Sequence, residues 1–147
     1  MKKTLVALAV GAAMVTSAMA VDKVVTPSAD APAAIGPYSQ AIMVGNTLYI
    51  SGMLPLDPKT GKLVAGTITD ATRQSMNNLG AVLAAYGMTM NNVVLSNVYV
   101  KDLNEFGDLN KAYGEYFTDG KAPARVTVEV ARIPRDAKVE ISMIAVK

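Results

Sequence analysis

The sequence predicts an α+β domain in which two helices cover one face of a mixed β-sheet. Three observations predict it. Apolar, β-branched segments occur at both ends and in the middle of the chain. Two stretches between them repeat apolar residues at spacings of three and four. The segments run in the order strands, helix, strand, helix, strands, which suits two packed layers better than a regular βαβ alternation.

The elements follow in order. Residues 21–36 are rich in Ala, Pro and Asp, and read as a short strand at Val24-Val25 followed by an irregular arm. Residues 40–44 and 47–53 are apolar segments separated by Gly45-Asn46, a two-residue hairpin signal. Asp57-Pro58-Lys59-Thr60-Gly61 is turn chemistry. The spacing predicts a helix over 69–86, capped by Thr69 or Asp70, burying Thr72, Met76, Leu79, Leu83 and Tyr86, with Gly87 past its end. Residues 93–100 are β-branched and read as a strand. Asp102 and Glu105 have the spacing of a capping box. They open a second helix with the stripe Phe106, Leu109, Tyr113, Tyr116 and Phe117, closed by Gly120. Residues 125–131 alternate, with Val126, Val128 and Val130 opposite Arg125, Thr127 and Glu129. Pro134-Arg135-Asp136 turns the chain into the last strand, 138–146, where Glu140 and Ser142 oppose Val139, Ile141 and Met143. Helices on one face leave the other, partly apolar face bare, so association through that face is expected.

With 147 residues the chain has room for one domain. Its start has a different character. Lys2 and Lys3 precede an uncharged apolar run over 5–15, and Ser17-Ala18-Met19-Ala20 supplies small residues before a cleavage point. This is the pattern of a secretory signal peptide over residues 1–20, which leaves a single domain at 21–147 in the periplasm or outside the cell. The apolar run is too short for a bilayer span, and no membrane attachment is expected after cleavage. Losing Lys2 and Lys3 leaves 12 basic against 12 acidic residues. Such a balance argues against nucleic-acid binding, which needs a basic stripe. The chain has no cysteine and no histidine. A transition-metal site is therefore not expected, and Cys-nucleophile or Ser-His chemistry is impossible.

Several blocks carry a resemblance. They are Ala33-Ala34-Ile35-Gly36-Pro37-Tyr38-Ser39-Gln40-Ala41, Leu48-Tyr49-Ile50-Ser51-Gly52 and Arg73-Gln74-Ser75-Met76-Asn77-Asn78. Val98-Tyr99-Val100-Lys101-Asp102-Leu103 follows, then Asn110 with Tyr113, Tyr116 and Phe117. The last are Ala122-Pro123-Ala124-Arg125-Val126-Thr127-Val128-Glu129 and Val139-Glu140-Ile141-Ser142-Met143. In this order and spacing they resemble the Rid (reactive intermediate deaminase, RidA/YjgF-like) family over nearly all of residues 21–147. The resemblance implies a chorismate-mutase-like α+β fold and a homotrimer with clefts between neighbouring subunits. It implies hydrolysis of reactive 2-imino or enamine acids, such as 2-iminobutanoate and 2-iminopropanoate, to 2-keto acids and ammonia, without cofactor or metal.

The same resemblance assigns roles. Arg125 becomes the carboxylate clamp, for which a planar guanidinium offers two parallel charge-assisted hydrogen bonds. Glu140 becomes the group that orients water and passes on its proton. Tyr38, Ser51, Gly52, Asn110 and Thr127 become substrate-binding residues. Thr127 stands where many relatives carry cysteine, and Met53 where glutamine commonly follows Ser-Gly, a change that bears on the polarity of the cleft. Two other readings stay open: a non-catalytic small-carboxylate-binding protein, and a holdase-like chaperone in the periplasm. A ribonuclease role, also attached to the family, fits poorly with the neutral charge and the missing histidine.

Overall fold

The computed structural model describes residues 20–147; the predicted signal peptide lies outside the described residues except for Ala20. β1 (Ala41–Val44) and β2 (Thr47–Met53) form a hairpin, with Gly45 at φ +58° in its turn. α1 (Ile68–Ala85), β3 (Val93–Val100), α2 (Phe106–Gly114), β4 (Ala124–Glu129) and β5 (Val139–Val146) follow. The sheet order is β1-β2-β5-β3-β4. All neighbours are antiparallel except β3 and β4. Both helices lie on one face, so the expected α+β architecture is what the chain adopts.

The core forms between that face and the helices. Leu48, Val98, Val139 and Ile141 of the sheet meet Met76, Leu79, Val82 and Leu83 of α1 and Leu109 of α2, all fully buried. Each such side chain contributes about 1.5–3 kcal/mol through removal from water. Tyr86 Oη accepts from Thr26 N and donates to Ala41 O, and Gln40 bonds Ser28 and Pro32. These buried bonds tie residues 24–32 against the hairpin, and Val24 bridges to Met43. No helix among the described residues is long and apolar enough to cross a membrane.

Some boundaries differ from the expectation, for local reasons. α1 starts after Thr67, not at 69 or 70. Thr67 Oγ1 accepts from Asp70 N while the Asp70 carboxylate accepts from Thr67 N, a complete capping box. Its far end matches: Gly87 is at φ +68°, and Met88 N donates to Leu83 O. Asp102 caps a short 3₁₀ turn, Leu103–Glu105, through Asn104 N. Glu105 does not reach back to it and lies 3.7 Å from Lys138 Nζ. α2 stops at Gly114 rather than near Gly120. There Tyr116 N and Phe117 N bond only three residues back, and both rings still pack on the core. β4 ends at Glu129, and Val130 packs against a second small cluster of Leu54, Leu56, Ile133 and Ala137 rather than beside Val128.

The other sheet face is bare. Tyr49, Tyr99, Val126 and Val128 are exposed on it, a broad apolar surface for a small domain.

Candidate functional site

The β3–β4 register sets Arg125 opposite Ser96 and Thr127 opposite Val98. Ser96 and Val98 are buried under the helices. Arg125 therefore leaves β4 on the helix face, and its neighbours come from α2. Asn110 Oδ1 accepts from an Arg125 terminal nitrogen at 2.6 Å. The guanidinium carbon lies 4.7 Å from the Tyr113 ring centroid and 5.8 Å from that of Phe106, within cation–π range. No carboxylate among the described residues forms an ion pair with Arg125. The α2 stripe supplies the shelf and β4 supplies the arginine. Burial pushes the Tyr113 hydroxyl up in pKa, opposed in part by the Arg125 charge. That hydroxyl and those of Ser96 and Thr127 are covered and make no hydrogen bond among the described residues. Thr127 thus sits behind the arginine with its oxygen enclosed.

Glu140 belongs to the opposite face. It pairs with Tyr99 across β3–β5, and it lines an open hollow of about 340 Å³ with Ile35, Tyr38, Ser51, Gly52, Leu54 and Pro134. Several local features build this hollow. Tyr38 N donates to Gly36 O across Pro37, a tight three-residue turn, and Tyr38 Oη accepts from Ile35 N. β2 shifts register between Ile50 and Met53, so Ser51-Gly52 form a bulge against β5. Ser51 Oγ donates to Ser39 O at 2.7 Å, which leaves its lone pairs, not its proton, for a ligand. Met53 points the other way. It is buried in the core and is not among the residues lining this hollow.

Burial raises the Glu140 carboxyl above the ordinary glutamate range. Glu140 is the one charged residue lining the hollow. A larger apolar groove of about 420 Å³ runs under residues 25–34 and shares Tyr38, but no charged side chain lines it. No group of three or more Asp or Glu among the described residues is placed to hold a metal ion.

The predicted site residues therefore divide into two sets. Arg125, Asn110 and Thr127 lie on the helix face; Tyr38, Ser51, Gly52 and Glu140 surround a hollow on the bare face. A single protomer does not bring them together. The sequence reading omitted Phe106 and Tyr113 as supports of Arg125, because their spacing on α2 reads equally well as core. It also omitted Pro134, Ile35 and Leu54, which carry no chemistry that a motif would flag.

A five-stranded mixed sheet with two helices on one face, an arginine without a carboxylate partner among the described residues and a desolvated glutamate define a YjgF-like α+β protein. The comparisons agree. The family model described as endoribonuclease L-PSP matches residues 28–147. A RutC family protein of Pyrococcus horikoshii is 52% identical over 118 residues, spanning 80% of this chain and 93% of the relative. A Mus musculus protein named 2-iminobutanoate/2-iminopropanoate deaminase is 50% identical over 117 residues, spanning 80% of this chain and 86% of the relative. The crystal structure of the YjgF gene product of E. coli superposes with a TM-score of 0.79 at 44% identity, covering 84% of this chain and 98% of that one. The chain belongs to the endoribonuclease L-PSP family, which includes the RidA/YjgF proteins.

Proposed function

We propose that this protein hydrolyses 2-imino acids to 2-keto acids and ammonia in clefts between the subunits of a homotrimer. Arg125 of one subunit grips the substrate carboxylate, and Tyr38, Ser51, Gly52 and Glu140 of its neighbour face the C=N carbon. The observation that carries the reading is the separation of Arg125 and Glu140 onto opposite sides of the sheet. Each is half of a site, each half is open, and the bare apolar face between protomers is what association would bury. The deaminase name of the mouse relative at 50% identity supports the same chemistry.

The chemistry needs little. Glu140 accepts a hydrogen bond from water as its oxygen attacks the imine carbon. The C=N pair moves onto nitrogen, and the proton lost by the water reaches that nitrogen through the carboxyl. The same carboxyl then carries the adduct's hydroxyl proton to the amine, and as the oxygen's electron pair forms C=O the C–N bond breaks and ammonia leaves. Orientation and one proton relay are enough, the latter typically worth about 10²–10⁴-fold. A ribonuclease role is the weaker reading, because the chain offers no histidine as general base.

The test generates 2-iminobutanoate in situ and follows semicarbazide trapping. Less trapped imine with wild type, and trapping at the enzyme-free level with Arg125→Ala, supports the deaminase. Keto-acid binding without acceleration moves the assignment to a carboxylate-binding protein. We also infer export through residues 1–20. Mass spectrometry of the protein from an expressing cell's periplasm should then find a chain starting at Val21.

A further inference from the structure

Arg135 and Asp136 both occupy the left-handed region, at φ +62° and +59°. Two adjacent non-glycine residues there are strained, and persist only where their surroundings impose the conformation. Those surroundings are visible. Ile133 and Ala137, on either side, are buried in the small second cluster with Leu54 and Leu56. Asp136 N donates to Ile133 O. The Asp136 carboxylate receives a two-bond pair from Arg132, at 2.8 and 3.1 Å. Arg135 donates to Gly61 O at 2.9 Å, joining segments 74 residues apart.

What these contacts fix lies one residue earlier. Pro134 is a wall of the Glu140 hollow, and Leu54, from the same small cluster, is another. A turn needed only to reverse the chain has cheaper solutions, with glycine at the left-handed positions. We infer that the Pro134–Asp136 turn is a positioning element: its left-handed backbone, tied to Gly61 by Arg135, holds Pro134 against Glu140 and sets the shape of the ligand hollow. Pro134 lines the same hollow as the carboxyl, whose partial burial raises it. The other groups beside that carboxyl are uncharged: Ser51 and Gly52 of β2, Ser142 of β5, Tyr99 opposite it on β3, and Tyr38 and Ile35 of the preceding loop. The two tyrosines are the titratable ones among them. Among the described residues no ion pair involves Glu140.

The inference rests on the ligand reading above, and the experiment separates the two. Arg135→Gly and Asp136→Gly relieve the left-handed strain while removing a tether each; Arg135→Lys keeps a donor. Three quantities are measured: thermal midpoint, binding of 2-oxobutanoate by calorimetry, and titration of the Glu140 carboxyl by carbon-detected NMR. The expected result for the glycine variants is a midpoint within about 4 °C of wild type, with 2-oxobutanoate bound roughly tenfold more weakly. Glu140 should titrate closer to an ordinary glutamate, and Arg135→Lys should recover part of both changes. Unchanged binding and titration, or losses that follow falling stability alone, would make the turn merely structural and overturn the inference. Should wild type fail to bind 2-oxobutanoate, the ligand reading falls instead, and the Glu140 titration decides the turn by itself.

Discussion

Glu140 occupies the space that a side chain on Gly52 would need. A Cβ built on Gly52 falls 2.8 Å from the Glu140 carboxyl carbon, with the nearer oxygen in outright collision. The three nearest atoms all belong to the Glu140 side chain, so the glutamate would swing aside while the sheet stays intact. Gly52→Ala should therefore fold and stay within about 1–2 kcal/mol of wild type in a denaturant titration. Its imine turnover should drop by roughly 10²-fold, as expected when a catalytic group is misplaced by about 1 Å. Wild-type turnover in this variant would show that Glu140 need not stand where it does.

Glu140 also ties stability to pH. Its folded-state pKa is raised by burial, so the folded protein binds this proton more tightly than the unfolded chain. Between the unfolded and folded pKa values stability falls as pH rises, and above both the ionised carboxylate is a standing cost. Glu140→Gln removes the charge and keeps the shape. At neutral pH the variant should melt at or above the wild-type temperature while losing imine hydrolysis. The wild-type kcat/KM profile should fall on its acid side at a pH above the usual glutamate range, and melting curves across pH check the other half.

Much of this was legible in the sequence because the signals were local. The spacing of Met76, Leu79 and Leu83 marks α1, and the alternation around Ile141 and Met143 marks β5, since a half-buried element must put its apolar residues on one side. The misses have equally local causes. Thr69 and Asp70 are both N-cap residue types beside the apolar stripe, but the cap forms earlier, at Thr67, because Asp70 stands three residues after it and closes a capping box. The second helix looked longer because Tyr116 and Phe117 keep the period after the hydrogen bonding has changed. The site posed a different difficulty. Motif matching names Arg125 and Glu140 together, but only the strand register assigns them to opposite faces, since it is set by pairing with Ser96 and Tyr99 across β3. Left-handed Arg135 and Asp136 were not legible, because aspartate tolerates that conformation without requiring it and arginine rarely adopts it.

Asn110 is the polar side chain that aims Arg125. Its bond at 2.6 Å to the terminal nitrogen restricts a long, flexible side chain, and charge-assisted bonds of this kind are worth about 1.5–3 kcal/mol. Asn110→Ala leaves the guanidinium on Tyr113 and Phe106 but free to rotate about its stem. Binding of 2-oxobutanoate should weaken by about tenfold or more. Asn110→Asp should weaken it as well, by giving Arg125 an internal carboxylate to pair with. Calorimetric titration of both variants checks this, and unaltered affinity in the Asp variant would mean that Arg125 does not take the acid group.

The division of the site between faces makes a prediction about mixtures. Arg125→Ala subunits keep an intact Glu140 hollow, and Glu140→Gln subunits keep an intact Arg125 shelf. If each cleft takes its arginine from one subunit and its glutamate from the next, a mixed trimer rebuilds complete clefts from two inactive parents. Random reassembly at equal amounts should restore about a quarter of the wild-type clefts, each being a heterologous contact in a closed ring. The measurement is imine turnover after co-refolding the two variants, against each refolded alone. A charge on the bare face, such as Val128→Glu beside Tyr99, should abolish the recovery by preventing association, since both residues are exposed in the protomer and burying an unpaired carboxylate costs several kcal/mol. Activity that stays at the level of the separate parents, in a mixture shown by sedimentation to be trimeric, would place both groups in one subunit's own site and refute the shared cleft.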